Sequence, residues 1–178
     1  MIMVPIFVVV MMLPFEPWSS IIGVALFIIA SITDMLDGKI ARKYGLITNF
    51  GKFLDPLADK ALVMAALLAF VELDWVGSVP VMIILFREFM VSALRLVVSS
   101  DDGTVVAAGW SGKLKTAFTM IALIVIMLLR GLMCAGISVD ETLVTVVSQA
   151  LIWISTALTV YSGMEYLKAY WHVIDTNK

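Results

Sequence analysis

Residues 34–59 read DMLDGKIARKYGLITNFGKFLDPLAD, a polar segment that joins two apolar runs at about residues 18–37 and 52–71. A helix needs about 20 residues to cross a hydrocarbon core of about 30 Å, and both runs are that long. Four aspartates lie where the apolar runs meet the polar segment. The stretch therefore predicts two membrane-spanning helices with a cluster of carboxylates at their joined ends.

The composition of the whole chain supports a membrane protein. Apolar residues make up 62% of the 178 residues and charged residues 15%, against roughly 45–50% and roughly 25% in soluble domains. Further apolar runs fall at about residues 1–13, 76–98, 113–133 and 143–167. We therefore predict an all-α integral membrane protein, a bundle of six transmembrane helices in a single domain over residues 1–178. The first run is too short to cross a bilayer, so we expect this helix to be N-terminally incomplete.

The net charge of −2 favours neither a nucleic-acid binder nor a peripheral protein held by a basic patch, so the placement of the cations is more informative. Lys and Arg collect on the cytoplasmic side of membrane proteins. Most of them lie in or beside the second and fourth connections and at the C-terminal end, as Lys39, Arg42, Lys43, Lys52, Lys60, Arg95, Lys113, Lys115, Lys168 and Lys178. We predict a multi-pass protein of the cytoplasmic membrane, in contact with membrane lipids, whose aspartates face the cytoplasm. The connections at residues 14–17, 72–78 and 131–142 then face outward.

The four aspartates are spaced so that they can converge. Asp34 and Asp37 are three residues apart, and Asp55 and Asp59 are four apart, so each pair shares one helical face. Four carboxylates at one point would repel each other unless divalent cations lay between them, and such ligands suit Mg²⁺ or Mn²⁺. The alternative is that they are solvated charges beside the membrane. Their regular spacing and their position in apolar sequence favour a metal site.

The same segment contains a longer pattern, DxxDGxxAR, then eight residues, then GxxxDxxxD. It resembles the signature of the CDP-alcohol phosphotransferases, and every fixed position is present, as Asp34, Asp37, Gly38, Ala41, Arg42, Gly51, Asp55 and Asp59. The resemblance implies a six-helix membrane fold, usually a homodimer, with two divalent cations. It also implies an enzyme that transfers a phosphatidyl group from a CDP-linked lipid to an alcohol.

The resemblance assigns a role to each residue of the signature. Asp34, Asp37 and Asp55 would be metal ligands, and Asp59 would be both a ligand and the catalytic general base for the acceptor hydroxyl. The residues implied in binding the CDP moiety are Asp34, Gly38, Ala41, Arg42 and Gly51. For the small residues among them, ordinary packing between membrane helices is an equally good explanation.

The acceptor alcohol has to be inferred from other cations, because the signature concerns the donor half of the reaction. Arg87 and Glu88 lie about ten residues into the fourth run, where an ionisable pair is either functional or a mutually neutralising structural pair. Arg95 follows two turns later on approximately the same face. A cationic funnel for a phosphorylated acceptor would comprise Lys60, Arg87, Arg95, Lys113 and Lys115. The positions of Lys113 and Lys115, at the start of the fifth run, would also be explained by the preference of lysine for the cytoplasmic side alone.

A second, more local resemblance supports the funnel. Arg87-Glu88-Phe89, Leu94-Arg95, residues 112–116 and residues 161–166 resemble bacterial members of this family that act on glycerol 3-phosphate. This implies CDP-diacylglycerol and sn-glycerol 3-phosphate as substrates, with phosphatidylglycerophosphate and CMP as products. Inositol phosphate, serine or phosphatidylglycerol remain alternative acceptors. A divalent-cation transporter is a further alternative, although a transporter should place polar groups along a whole crossing.

Overall fold

Six α-helices make up the part of the chain that this computed structural model describes, residues 3–44, 49–101, 109–137 and 139–171. In residues 34, 35, 37–44, 49–59 and 96–101 the description is confined to the backbone. The helices are α1 (Met3–Met12), α2 (Trp18–Tyr44), α3 (Asn49–Glu72), α4 (Ser78–Asp101), α5 (Trp110–Cys134) and α6 (Glu141–Ala169). No strand occurs in the described ranges, and the prediction of an all-α fold is confirmed.

Two helices of the described residues are long and apolar enough to cross a membrane, α5 with 25 residues and α6 with 29. At 1.5 Å per residue they are about 38 Å and about 44 Å long, which exceeds the hydrocarbon thickness. Shorter apolar helical segments are Met3–Met12 and Trp18–Thr33. These findings agree with a membrane protein, and the count of six spans stays a prediction.

Contacts group the helices into two units, and α5 and α6 contribute residues to both. The first unit contains residues 1–76 and 123–148. In it α1 packs on α2 and α3, and α2 packs on α3. Phe7 and Phe27 are fully buried with ring centroids 5.9 Å apart, and Met11 and Met127 are buried as well. Large side chains from separate helices thus fill the core of this unit.

The end of α3 shows how a local turn supports packing in the first unit. Asp74 has a φ of 56°, a left-handed conformation that Asp tolerates better than most residues because its short side chain is polar. The turn lets the backbone N–H of Trp75 donate to the carbonyl of Phe70 at 2.8 Å, and it brings their ring centroids to 5.1 Å. The guanidinium of Arg130 lies 5.8 Å from the Trp75 ring and donates to Oγ1 of Thr145 at 3.2 Å.

The second unit contains residues 77–122 and 149–178. Among the described side chains of α4, Val81, Ile84, Arg87 and Val91 are buried at spacings of three, three and four residues. This is the spacing of one helical face, so Arg87 occupies a position that periodicity assigns to the core. The unpaired backbone at the start of α4 is partly satisfied from α6, because the N–H of Gly77 donates to the side-chain oxygen of Gln149 at 3.3 Å.

Candidate active site

The backbone places the aspartates on one helical hairpin. Asp34 and Asp37 lie in the C-terminal part of α2, and Asp55 and Asp59 lie in the N-terminal part of α3. The two helices pack on each other within the first unit and are joined by residues 45–48. The predicted assignment of both pairs to the joined ends of two helices is therefore confirmed at the level of the backbone.

The metal and CDP sites themselves fall outside the described side chains. This applies to the predicted metal ligands and also to Gly38, Ala41, Arg42 and Gly51. The donor set of four carboxylates suits a hard divalent cation, so these residues fit the metals that the signature implies. No group of three or more His, Cys, Asp or Glu residues that could hold a metal occurs among the side chains that the structure does describe. The roles of the signature residues stay predictions.

A charged cluster lies in the second unit around Glu88. Arg87 is only 5% exposed, and its Nη1 donates to Oε1 of Glu88 at 3.2 Å while its Nη2 donates to Oγ of Ser162 at 2.8 Å. Lys115, also buried, forms an ion pair with the same Oε1 of Glu88. Arg87 and Glu88 therefore do not form an isolated ion pair, because the carboxylate of Glu88 also pairs with Lys115.

Tyr166 adds Arg95 to the same cluster. Nη2 of Arg95 donates to the phenolic oxygen of Tyr166 at 2.5 Å, and the guanidinium carbon of Arg95 lies 4.9 Å from the ring centroid. The guanidinium carbon of Arg87 lies 5.9 Å from the same centroid. Both distances fall within the range of a cation–π contact, which is about 6 Å. The aromatic ring thus contacts both arginines.

The electrostatics of this cluster favour binding of an anion. The cluster contains three cations, Arg87, Arg95 and Lys115. Glu88 pairs with Arg87 and Lys115, which leaves two positive charges in excess among these four side chains. The Nε atoms of both arginines are buried and have no hydrogen-bond partner. A buried donor without a partner costs about 1–3 kcal/mol. A multiply charged anion would satisfy these donors and offset the excess charge.

The other two cations of the predicted funnel are Lys60 and Lys113. Lys60 belongs to α3 in the first unit and is half-buried. Lys113 lies in α5, two residues before Lys115, and its side chain is exposed. The structure thus brings together Arg87, Arg95 and Lys115, while a role for the other two at the acceptor site stays a prediction.

Three residues of α6 were given no role by sequence reasoning, Ser162, Gly163 and Tyr166. A Cβ atom added at Gly163 would lie 3.0 Å from Cγ of Arg87 and 3.4 Å from its Nε, so the absence of a side chain makes room for the arginine. The signal that could have revealed them is their position in the local motif at residues 161–166.

The fold and the signature together define a class of protein. The chain belongs to the CDP-alcohol phosphatidyltransferase family, whose model matches residues 1–161. This confirms the resemblance found in the aspartate segment and the prediction of a phosphatidyl-transferring enzyme.

Individual relatives carry a more specific name, CDP-diacylglycerol–glycerol-3-phosphate 3-phosphatidyltransferase. The protein of that name from Bacillus subtilis is 41% identical, and the match covers 98% of this chain and 92% of the relative. The Rickettsia typhi protein is 40% identical over 83% of this chain and 79% of its own length. The Haemophilus influenzae protein is 37% identical over 94% of this chain and 86% of its own length. The local resemblance to members that act on glycerol 3-phosphate is confirmed.

Proposed function

We propose that this chain transfers the phosphatidyl group of CDP-diacylglycerol to sn-glycerol 3-phosphate and releases phosphatidylglycerophosphate and CMP. Family membership supports the donor half of the reaction, and the names of the relatives support the acceptor. The structural observation that carries the choice of acceptor is the cluster of Arg87, Arg95 and Lys115, of which Arg87 and Lys115 are buried and Arg95 is half-buried. A phosphate monoester carries about −1.5 to −2 charge at pH 7, which complements the two excess positive charges of the cluster.

The aspartates supply the chemistry of the transfer in this proposal. The acceptor hydroxyl oxygen attacks the phosphorus of the phosphatidyl group, the bond from that phosphorus to the CMP oxygen breaks, and CMP leaves. Asp59 accepts the hydroxyl proton. Divalent cations held by Asp34, Asp37, Asp55 and Asp59 would lower the repulsion between the pyrophosphate and the incoming oxygen. The residues proposed to hold the CDP moiety are Asp34, Gly38, Ala41, Arg42 and Gly51.

The acceptor cluster has a separate task, to bind and orient the phosphate of glycerol 3-phosphate. Arginine and lysine N–H groups form short charge-assisted hydrogen bonds with phosphate oxygens. Of the two lysines near the start of α5, we assign the main contact with the phosphate to Lys115, because it is buried and paired with Glu88, whereas the side chain of Lys113 is exposed. When the phosphate is bound at a fixed position, the hydroxyl group of the acceptor is held close to the phosphorus it attacks. The reaction then behaves as a step within one complex, which is a large source of rate enhancement.

The proposal extends to the setting of the enzyme. The placement of lysine and arginine along the sequence supports a multi-pass protein of the cytoplasmic membrane whose active site faces the cytoplasm. A homodimer is proposed from the family resemblance.

The decisive experiment is an assay of CMP release by the purified protein in detergent. CDP-diacylglycerol and Mg²⁺ or Mn²⁺ are supplied with glycerol 3-phosphate, serine, inositol phosphate or phosphatidylglycerol in parallel. We expect CMP release with glycerol 3-phosphate at a rate well above the other three. Release with a different acceptor would contradict the proposed substrate, and divalent-cation flux in liposomes without any CMP release would contradict the enzyme.

Asp59→Asn tests the proposed base. The amide keeps the shape of the side chain but can neither take a proton nor bind a cation as a carboxylate does, so we expect kcat to fall by about 10²-fold or more. Asp74→Asn is the matched control, because Asp74 is an exposed residue in the turn after α3 and asparagine tolerates its positive φ. Equal rates for Asp59→Asn and the unaltered protein would refute the role of Asp59.

Metal removal tests the cofactor. We expect the protein to lose CMP release in excess EDTA and to recover it on addition of Mg²⁺ or Mn²⁺, because four carboxylates without a cation neither bind a pyrophosphate nor stabilise its cleavage. Ca²⁺, which prefers longer bonds and more ligands, serves as the comparison ion. Full activity in EDTA, with the metal content of the sample measured, would exclude the metal-dependent mechanism.

A further inference from the structure

One turn of α6 contacts both arginines of the cluster. Ser162 and Tyr166 are four residues apart and therefore share a helical face, and both are buried. Ser162 accepts a hydrogen bond from Arg87, and Tyr166 accepts one from Arg95. Gly163, on the same turn, leaves the space that the stem of Arg87 occupies. α6, which contributes no cation to the cluster, thus supplies one hydrogen-bond acceptor for each guanidinium group, and Glu88 of α4 supplies a further acceptor for Arg87.

Tyr166 suits this position for an electrostatic reason. Two guanidinium groups on the same ring repel each other, and something must hold them there until an anion binds. A carboxylate in place of the phenol would hold them more strongly, but it would cancel one of the two excess positive charges. The phenol is neutral and offers both a ring face and an oxygen acceptor, so it can hold the arginines without competing with the phosphate.

We propose that Tyr166 is a positioning residue for the acceptor phosphate, which holds Arg87 and Arg95 so that both donate to one phosphate group. Ser162 and Gly163 complete the support on the side of Arg87. The buried Nε atoms, which have no hydrogen-bond partner, are the donors left for that purpose. This inference rests on the proposed function, because it assigns a task within the acceptor site.

Tyr166→Phe is the sharpest test, because it keeps the ring and removes only the oxygen that accepts the hydrogen bond from Arg95. Loss of a hydrogen bond to a charged group corresponds to about a tenfold change in affinity. We therefore expect the KM for glycerol 3-phosphate to rise about tenfold, with the KM for CDP-diacylglycerol unchanged and kcat within about twofold. Tyr161→Phe is the matched control on the same helix, since Tyr161 is 56% exposed.

A purely structural role of Tyr166 predicts a different pattern. In that case Tyr166→Phe would lower the melting temperature and change both KM values together, or it would change none of the kinetic constants. Either result overturns the inference. Gly163→Ala supplies a second variant, because its Cβ would press on Arg87 from the other side, and we expect the same selective rise in the KM for glycerol 3-phosphate.

Calorimetric titration with glycerol 3-phosphate separates this inference from the proposed function. If the unaltered protein binds glycerol 3-phosphate and Tyr166→Phe binds it about tenfold more weakly, the positioning role stands even where no acceptor supports CMP release. Equal binding by the two proteins overturns the positioning role and leaves the proposed function intact. Absence of binding by the unaltered protein overturns both.

Discussion

Among the individual residues, Glu88 explains how Arg87 and Lys115 can be buried. A charge inside a protein is costly unless it is paired, and Glu88 pairs with Arg87 and with Lys115 at the same oxygen. The carboxylate thereby reduces the repulsion between neighbouring cations and still leaves positive charge for a ligand. The sequence left two interpretations of Arg87, a functional residue or half of a structural pair. The contacts show the ion pair with Glu88, and the functional role stays a prediction.

Lys115→Ala and Lys113→Ala form a matched pair of tests two residues apart on α5. Removal of Lys115 takes away a charge that is buried next to Glu88, so we expect the KM for glycerol 3-phosphate to rise by about tenfold or more. Removal of Lys113, which is exposed, should change the KM for glycerol 3-phosphate by less than about threefold. Steady-state kinetics with CDP-diacylglycerol at saturation measure both values. Equal effects of the two substitutions would contradict the assignment of Lys115 to the site.

At the scale of elements, the helices extend further than their apolar runs suggested. α2 continues to Tyr44, beyond the predicted end of the run at residue 37, and α3 begins at Asn49. Hydropathy marks the part of a helix that lies in lipid, whereas the backbone hydrogen bonds continue as long as the residues tolerate helical geometry. Gly38, Ala41, Arg42 and Gly51 of the signature lie in these extensions.

The turn after α3 provides a test that concerns stability alone. Trp75 contacts Phe70 and Arg130 within the first unit, and Trp75→Leu would lose an aromatic pair and a cation–π contact. We expect a loss of about 1–3 kcal/mol, which thermal unfolding in detergent would show as a melting temperature lower by about 2–10 °C. The KM values of both substrates should stay the same.

Trp153→Leu is the control for that substitution, since Trp153 is 50% exposed and its replacement should leave the melting temperature nearly unchanged. If Trp75→Leu had no larger effect than Trp153→Leu, the contacts around Trp75 would not contribute measurably to stability.

At the scale of the whole molecule, each of the two long apolar helices contributes to both units. α5 contributes Lys115 to the second unit near its start and Arg130 to the first unit near its end. The positive-inside rule then predicts opposite sides of the membrane for the two ends of this helix, with Lys113 and Lys115 facing the cytoplasm. This orientation decides on which side a soluble acceptor would reach the site.

The single cysteine makes the orientation testable. Cys134 is the last residue of α5 and is exposed. We expect a membrane-impermeant maleimide to label it in intact cells, because the connection that follows α5 is predicted to face outward. The control is Lys113→Cys combined with Cys134→Ser, which should be labelled only after the membrane is permeabilised. The reverse labelling pattern would show the opposite orientation.

The all-α class, the membrane setting and the family could be predicted from the sequence alone. Asp34, Asp37, Asp55 and Asp59 lie within one short segment, and a helical repeat of 3.6 residues is enough to place each pair on one face. Local spacing of this kind can be read from a sequence because the residues that act together are near each other in the chain.

Which cations lie together around Glu88 and Tyr166, and what holds them, is visible only in the packed structure. Arg87 and Ser162 are 75 residues apart in the chain, and Arg95 and Tyr166 are 71 apart, so no periodicity connects them. The packing of α4 and α6 within the second unit brings them together, and it includes Lys115 while the side chain of Lys113 stays exposed. Contacts between distant segments depend on how helices pack, and the local pattern of residues does not encode that.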